Sequence, residues 1–284
     1  MDTDPRPSGG VPRLVLVLHA HQPTGNVEEV FRDAHDACYS PIVSIVERHP
    51  SIRMALHFSG PLLEWMEARR PETIARVRDL ASRGQVEIVG GGWQEPMLSS
   101  IPPRDALGQL RMMRYECARL FGAMPQGMWL AERAWAPDLP SVIREAGYGW
   151  TLLDDTHLRF AGILDDEICG WWVTERWGKA LAVLPIARSL RYAIPFKEPA
   201  ETVRIVSSRP GSTWTYGDDA EKFGLWPGTR EWVWEKGWLE RFMSEVSAAQ
   251  DSGTLRTEHP SRIIEDEPPA RASAGETPPA RAGG

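Results

Sequence analysis

The sequence predicts an α/β fold, a closed or nearly closed βα barrel. Three observations carry this. Apolar runs of strand length alternate with segments of helical spacing, in the order strand, polar loop, helix. The unit recurs at intervals of roughly 35 to 40 residues, the rhythm of a parallel sheet with crossover helices. Histidines, carboxylates and tryptophans fall at the ends of successive strands, and in a βα barrel those ends meet on one face. No Gly-x-Gly-x-x-Gly follows the first strand, which disfavours a dinucleotide-binding fold.

Taken in order, residues 1–12 read as a disordered leader. Arg13 to Leu18 is a continuous apolar run, the pattern of a strand buried on both faces, and it ends in His19-Ala20-His21-Gln22-Pro23. Val27 to Arg48 has helical spacing, with Ile42, Ile45 and Val46 on one face. Ile52 to His57 is the second strand. Pro61 to Arg83 reads as helix broken near Arg70-Pro71. Val86 to Val89 is the third strand, ending in Gly90-Gly91-Gly92-Trp93-Gln94-Glu95-Pro96. Asp105 to Leu120 is a helix. The fourth strand lies in the stretch from Gly127 to Pro137 and delivers Glu132 and Arg133, with a helical segment, Leu139 to Ala146, behind it. Trp150 to Leu153 is the fifth, ending in Asp154-Asp155. Leu181 to Ile186 is a sixth apolar run. Ser212 to Tyr216 precedes Gly217-Asp218-Asp219. Trp232 to Val246 is an amphipathic helix, and Thr254 to Thr257 a short strand. From 265 to 284 the composition turns Pro/Ala-rich and reads as a disordered tail, leaving 13–264 as the barrel domain.

Among the 284 residues, 42% are hydrophobic and 25% charged, as in a soluble globular protein. The net charge of -7 argues against a nucleic-acid surface. Three scattered cysteines suggest neither a disulfide framework nor a zinc cage, and point to a reducing compartment, the cytoplasm. The polar N-terminus shows no signal peptide, and no apolar run reaches membrane-spanning length. Thirteen tryptophans stand out. Trp93, Trp135 and Trp226 lie beside polar motifs, where flat indole faces suit sugar rings; a Trp-rich core is the competing reading.

Two carboxylates on one barrel face suit glycoside hydrolysis. Glu132, with Arg133 to keep it ionised, is the candidate nucleophile. Asp218 and Asp219 are adjacent, so mutual repulsion raises one proton affinity, as a general acid needs. A rival chemistry uses metal. His19 and His21, with His57, Glu95 or Asp155, suit a divalent ion and a metal-dependent, deacetylase-like hydrolase. A His-x-His pair shares a face only if the strand continues through it, and Gln22-Pro23 suggests that it does not.

As a set, four motifs resemble glycoside hydrolase family 57. They are His19-Ala20-His21-Gln22-Pro23, Gly92-Trp93-Gln94-Glu95-Pro96, Trp129 to Pro137, and Asp218 to Pro227. His57 to Trp65 is similar to the 4-α-glucanotransferase and α-amylase branch in particular. The resemblance implies a (β/α)7-type barrel and a retaining α-glucan hydrolase or transglycosylase. It places the nucleophile on Glu132 and the acid/base on Asp219. His19, His21, His57, Glu95 and Asp155 are then expected to bind sugar hydroxyls or support the carboxylates, and Trp93, Trp135 and Trp226 to stack on sugar. No cofactor and no metal is expected. Ala220 departs from the family's usual Gly. Family members continue into a helical region beyond the barrel, whereas here the Pro/Ala tail follows. The expectation is therefore a barrel incomplete after its last strand, with an exposed apolar surface that invites self-association or a partner. The alternative is a non-catalytic barrel that binds α-glucan or a partner.

Overall fold

The computed structural model describes residues 10–271. Residues 1–9 of the expected leader and 272–284 of the expected tail lie outside the described residues. Nine strands form one sheet: β1 (Arg13–Ala20), β2 (Met54–Phe58), β3 (Val86–Val89), β4 (Gly127–Met128), β5 (Trp150–Asp154), β6 (Trp172–Arg176), β7 (Lys179–Ile186), β8 (Thr213–Asp219) and β9 (Arg256–Thr257). Seven of them run parallel in the order β3-β2-β1-β8-β7-β5-β4. The Gly90 amide donates to the Gly127 carbonyl at 2.9 Å, and the Trp129 amide to the Gly90 carbonyl at 2.8 Å, which joins β3 to β4 and closes the sheet into a barrel. β7 and β8 touch at one register, Ile186 with Thr215. β6 adds antiparallel to β7, and β9 adds to the start of β1.

Around the strands run α1 (Glu28–Ala34), α2 (Ser40–Arg48), α3 (Gly60–Arg69), α4 (Pro71–Ser82), α5 (Pro103–Phe121), α6 (Leu139–Glu145), α7 (Asp155–Phe160), α8 (Arg188–Ala193), α9 (Pro199–Ser207), α10 (Trp238–Asp251) and α11 (Pro260–Asp266). The unbroken apolar run of β1 serves two layers. Leu14, Leu16 and Leu18 pack outward against the helices, with Ile42, Val46 and Phe242. Val15 and Val17 point inward, where they meet Ala55, Val89, Trp129, Leu152 and Leu184. Alternation of side chains across a strand makes one run serve both layers.

Several elements differ from the sequence reading. β4 is two residues long. Gly127 has no room for a side chain, since a Cβ there would lie 1.8 Å from the Trp150 ring. β8 continues to Asp219, so both aspartates stand on the strand and not in a loop. β6, α7 and α11 carry weak patterns and are additions. The helix expected over Trp232 to Val246 is broken at Gly237, which adopts a left-handed φ of 66° between a wide turn, Glu231–Glu235, and α10.

The composition change at residue 265 falls inside α11, so the first part of the expected tail is folded. Ile263 is fully buried and belongs to the inward-facing cluster, which makes α11 the floor of the barrel. Ser261 donates its amide (3.1 Å) and hydroxyl (2.5 Å) to Glu87. Beyond it, Glu267 pairs with Arg13 at 3.0 Å, and the Ala270 amide donates to the Trp171 carbonyl at 2.7 Å. Cys38, Cys117 and Cys169 are buried. Among the described residues no helix is long and apolar enough to cross a membrane.

Two outcomes test this floor. Ile263→Ala lowers the unfolding free energy by about 2–5 kcal/mol in a urea titration, the cost of emptying a filled core site. Burial, outweighing the Ser261 bonds, pushes the Glu87 carboxyl up to about 7. The folded chain then holds a proton that the unfolded chain releases, so Glu87's contribution to stability is lost as pH rises from about 4.5 to 7. Glu87→Gln therefore flattens the decline in stability across that range in a pH series of urea titrations.

Candidate active site

The carboxyl ends of the strands build two connected groups of polar side chains. The first gathers on β1, β2 and the loop after β3. His19 Nδ1 lies 2.8 Å from His57 Nδ1. Glu95 Oε1 stands 3.4 Å from His19 Nδ1 and 3.6 Å from His57 Nδ1, and its other oxygen contacts His21 Nδ1. The His19 ring lies flat on Trp129, with centroids 4.6 Å apart and planes at 10°. Burial first, then the neighbouring His57, His21 and Arg133 charges, holds His19 well below the ordinary imidazole range. Burial and the His21 charge depress His57 to about 3. Both rings are therefore neutral at physiological pH. The His21 amide donates to Glu221 at 2.8 Å, and the Tyr39 hydroxyl also reaches that carboxylate. Burial pushes Glu221 up to about 7.

The second group is a ladder of alternating charge. Asp218 is wholly buried on β8, with Lys222 Nζ at 2.5 Å and Arg191 Nε at 3.2 Å. Arg191 continues to Asp154 at 3.1 Å, and Arg133 reaches the other oxygen of Asp154 at 3.2 Å. Arg133 thus bonds Asp154, and not Glu132 as its sequence position suggested. β4 and β5 pair in register, Met128 with Thr151, so their ends are neighbours and Arg133 finds the carboxylate at the end of β5. Asp219 follows Asp218 and donates its amide to it at 3.0 Å. Burial, then the Asp218 charge, raises the Asp219 carboxyl above its ordinary range, against the pull of Arg133, Arg191 and Lys222.

Backbone conformation marks the same face. Four non-glycine residues among those described take positive φ: Glu95 (51°), Glu132 (55°), Arg133 (52°) and Trp177 (53°). Trp177 sits in the β6–β7 hairpin turn, and the other three lie at this face. A left-handed conformation costs about 1–3 kcal/mol for such residues and persists where surrounding structure imposes it.

Glu132 is exposed. Its charge acts on His21, and that of Arg133 on Asp219, so both groups of side chains border one space. Beside the ladder opens a cavity of about 380 Å³, lined by Asp154, Arg191, Phe196, Lys222 and Trp226 among others. Trp226 therefore stands where an indole can meet a ligand.

Three expected sugar-binding residues are placed differently. Asp155 borders the cavity but is buried, with its oxygens taken by Arg159 (2.7 and 3.1 Å) and the Arg188 amide (3.0 Å), so it ties α7 to α8. Trp93 is 7% exposed and packs in the outer core, its ring so close to α3 that a Cβ on Gly60 would meet it at 2.4 Å. Trp135 is half-buried against the cluster of Leu98, Leu110 and Ile143. Tryptophans beside polar motifs can still face inward; at Trp93 the preceding Gly90-Gly91-Gly92 lets the chain turn back onto the core. Conversely, His19 and His21 do share a side, with stacked rings 5.6 Å apart, although β1 ends at Ala20.

Sequence reasoning placed Asp154 at a strand end without a role, and missed Arg191, Tyr39, Trp129, Glu221 and Lys222 as site residues. The last three stood inside quoted motifs and were within reach. Arg191 lies in α8, where nothing in the pattern marked it. His19, His21 and Glu95 each bring one ligand atom within 4.8 Å of the others, a donor set fit for a divalent ion.

A closed parallel barrel whose strand ends converge on paired carboxylates and neutral imidazoles is an enzyme-type barrel face. The chain belongs to the family described as Glycosyl hydrolase family 57, which matches residues 15–274. It is 42% identical over 240 residues to an α-amylase of Pyrococcus furiosus, covering 83% of this chain and 37% of that protein. It is 42% identical over 239 residues to a 4-α-glucanotransferase of Thermococcus litoralis, covering 83% and 36%. The crystal structure of the Thermococcus litoralis 4-α-glucanotransferase superposes with a TM-score of 0.88 at 38% identity, over 92% of this chain and 41% of that one. The chain thus spans well under half the length of these relatives.

The ladder makes a testable statement about Asp219. Asp154→Asn removes the anion shared by Arg133 and Arg191, leaving more positive charge facing Asp219. A carboxyl-carbon NMR titration of the variant shows Asp219 deprotonating at lower pH than in the parent chain.

Proposed function

We propose that this chain acts on α-glucans by a retaining, two-step mechanism, with Glu132 as nucleophile and Asp219 as acid/base. The observation that carries the reading is the pairing on β8. Asp218 is wholly buried against Lys222 and Arg191, and burial together with its charge raises the Asp219 carboxyl above its ordinary range. The names of the relatives, α-amylase and 4-α-glucanotransferase, supply the substrate class.

In the first step Asp219 gives its proton to the glycosidic oxygen while a Glu132 oxygen bonds to the anomeric carbon and the exocyclic C–O bond breaks. The shortened glucan leaves with that proton. In the second, Asp219, now a carboxylate, takes a proton from water or from a sugar hydroxyl, whose oxygen displaces Glu132. Water gives hydrolysis, and a sugar hydroxyl gives transfer. His21 and Glu95 stand where hydroxyls of the reacting sugar can be bonded. Trp226, beside the cavity, offers a face for a neighbouring ring.

Incubation with maltoheptaose and analysis of products tests the reading. Redistributed or shortened oligosaccharides are expected, with kcat falling by about 10²–10⁴-fold in Glu132→Gln and in Asp219→Asn. In a glucan-bound crystal structure the nearest oxygens of Glu132 and Asp219 lie about 5–5.5 Å apart; a gap of about 9 Å or more indicates inversion and removes the covalent step. Activity survives a chelator, since neither carboxylate role uses a metal. Measurable affinity without turnover identifies a glucan-binding barrel instead.

A further inference from the structure

His19 and His21 turn their rings to one side at the end of β1, and Glu95 reaches over them from the loop after β3. One ligand atom from each lies within 4.8 Å of the other two. His19 Nδ1 and Glu95 Oε1 are 3.4 Å apart. That matches the spacing of about 3.3 Å between ligands around a tetrahedral ion with bonds near 2.0–2.1 Å. His57 Nδ1, 2.8 Å from His19 Nδ1, is its hydrogen-bond neighbour and is not counted among the ligands.

A second observation points into the same spot. The Glu95 side chain is only 5% exposed, and its Oε1 is buried and accepts no hydrogen bond. A buried carboxylate oxygen without a donor is unfavourable, and a cation bound there would satisfy it. Access is present, because the His21 side chain is 37% exposed. Two imidazole nitrogens and one carboxylate favour zinc-type ions over magnesium or calcium, which prefer all-oxygen sites.

We propose that His19, His21 and Glu95 form a binding site for a zinc-type divalent cation, and that glucan and cation exclude one another there. The second clause rests on the glucan reading above. The cation is then an inhibitor that competes with sugar, and not a cofactor.

The test is calorimetric titration of the chelator-treated chain with zinc and with magnesium, together with anomalous scattering from zinc-soaked crystals. One zinc per chain is expected, with its anomalous peak between His19, His21 and Glu95, and magnesium gives no heat. Affinity drops by about tenfold or more in His21→Ala and in Glu95→Gln, each checked for folding by near-UV circular dichroism. His49→Ala, at the separate His49–Glu240 pair, leaves it unchanged. Maltoheptaose weakens the apparent zinc affinity. No zinc binding, an anomalous peak elsewhere, or binding indifferent to both variants overturns the site. Zinc bound there but indifferent to a sugar that the chain does turn over overturns the exclusion. Zinc bound there in a chain that neither binds nor cleaves maltoheptaose supports the site and refutes the glucan reading.

Discussion

The wholly buried carboxylate of Asp218 is the constraint on which the polar face of the barrel depends. A charge removed from water needs partners, and this one has two cations and the Asp219 amide. Lys222 comes from the turn after β8, and Arg191 from α8. Arg191 carries the demand on to Asp154, and Asp154 to Arg133. One buried anion therefore orders segments separated by most of a hundred residues, and sets the field around Asp219.

The barrel supplies the rigidity that such a face requires. Its interior is filled by inward-facing side chains of β1, β2, β3, β5 and β7, with Trp129, and Ile263 of α11 closes the far end. Above that packed layer the backbone holds Glu95, Glu132 and Arg133 in left-handed conformations. Strain of this kind relaxes unless neighbouring structure over-determines it. Here β4 contributes only two residues, and the tight contact of Gly127 with Trp150 fixes where the following segment leaves the sheet.

The two halves of the face differ in electrostatic character. On the β1–β3 side burial keeps His19 and His57 neutral, leaving nitrogen donors beside a carboxylate. On the β8–β5 side the cations and anions alternate and nearly cancel, and burial with one adjacent anion favours the proton on Asp219. A polar, uncharged ligand such as a sugar can bridge halves of this kind by hydrogen bonds to both.

The sequence by itself determined the parallel barrel, most of its strands and helices in order, and the placing of His19, His21, His57, Glu95 and Asp219 at its strand ends, because those depend on local patterns. A continuous apolar run is a buried strand wherever it stands, and residues just after it reach the same rim. The motifs also carried Glu132, which follows β4 at the same rim. Only the tertiary structure decided what each polar group touches. Arg133 turned to Asp154 because β5 lies next to β4. Asp155 was consumed by Arg159 and the Arg188 amide, and Trp93 by the core against Gly60. Arg191 carried no mark in the pattern, since its two partners come from other strands. α11 was hidden for the same reason: Ile263 is an ordinary apolar residue near a polar tail until the barrel above it leaves an open floor to fill.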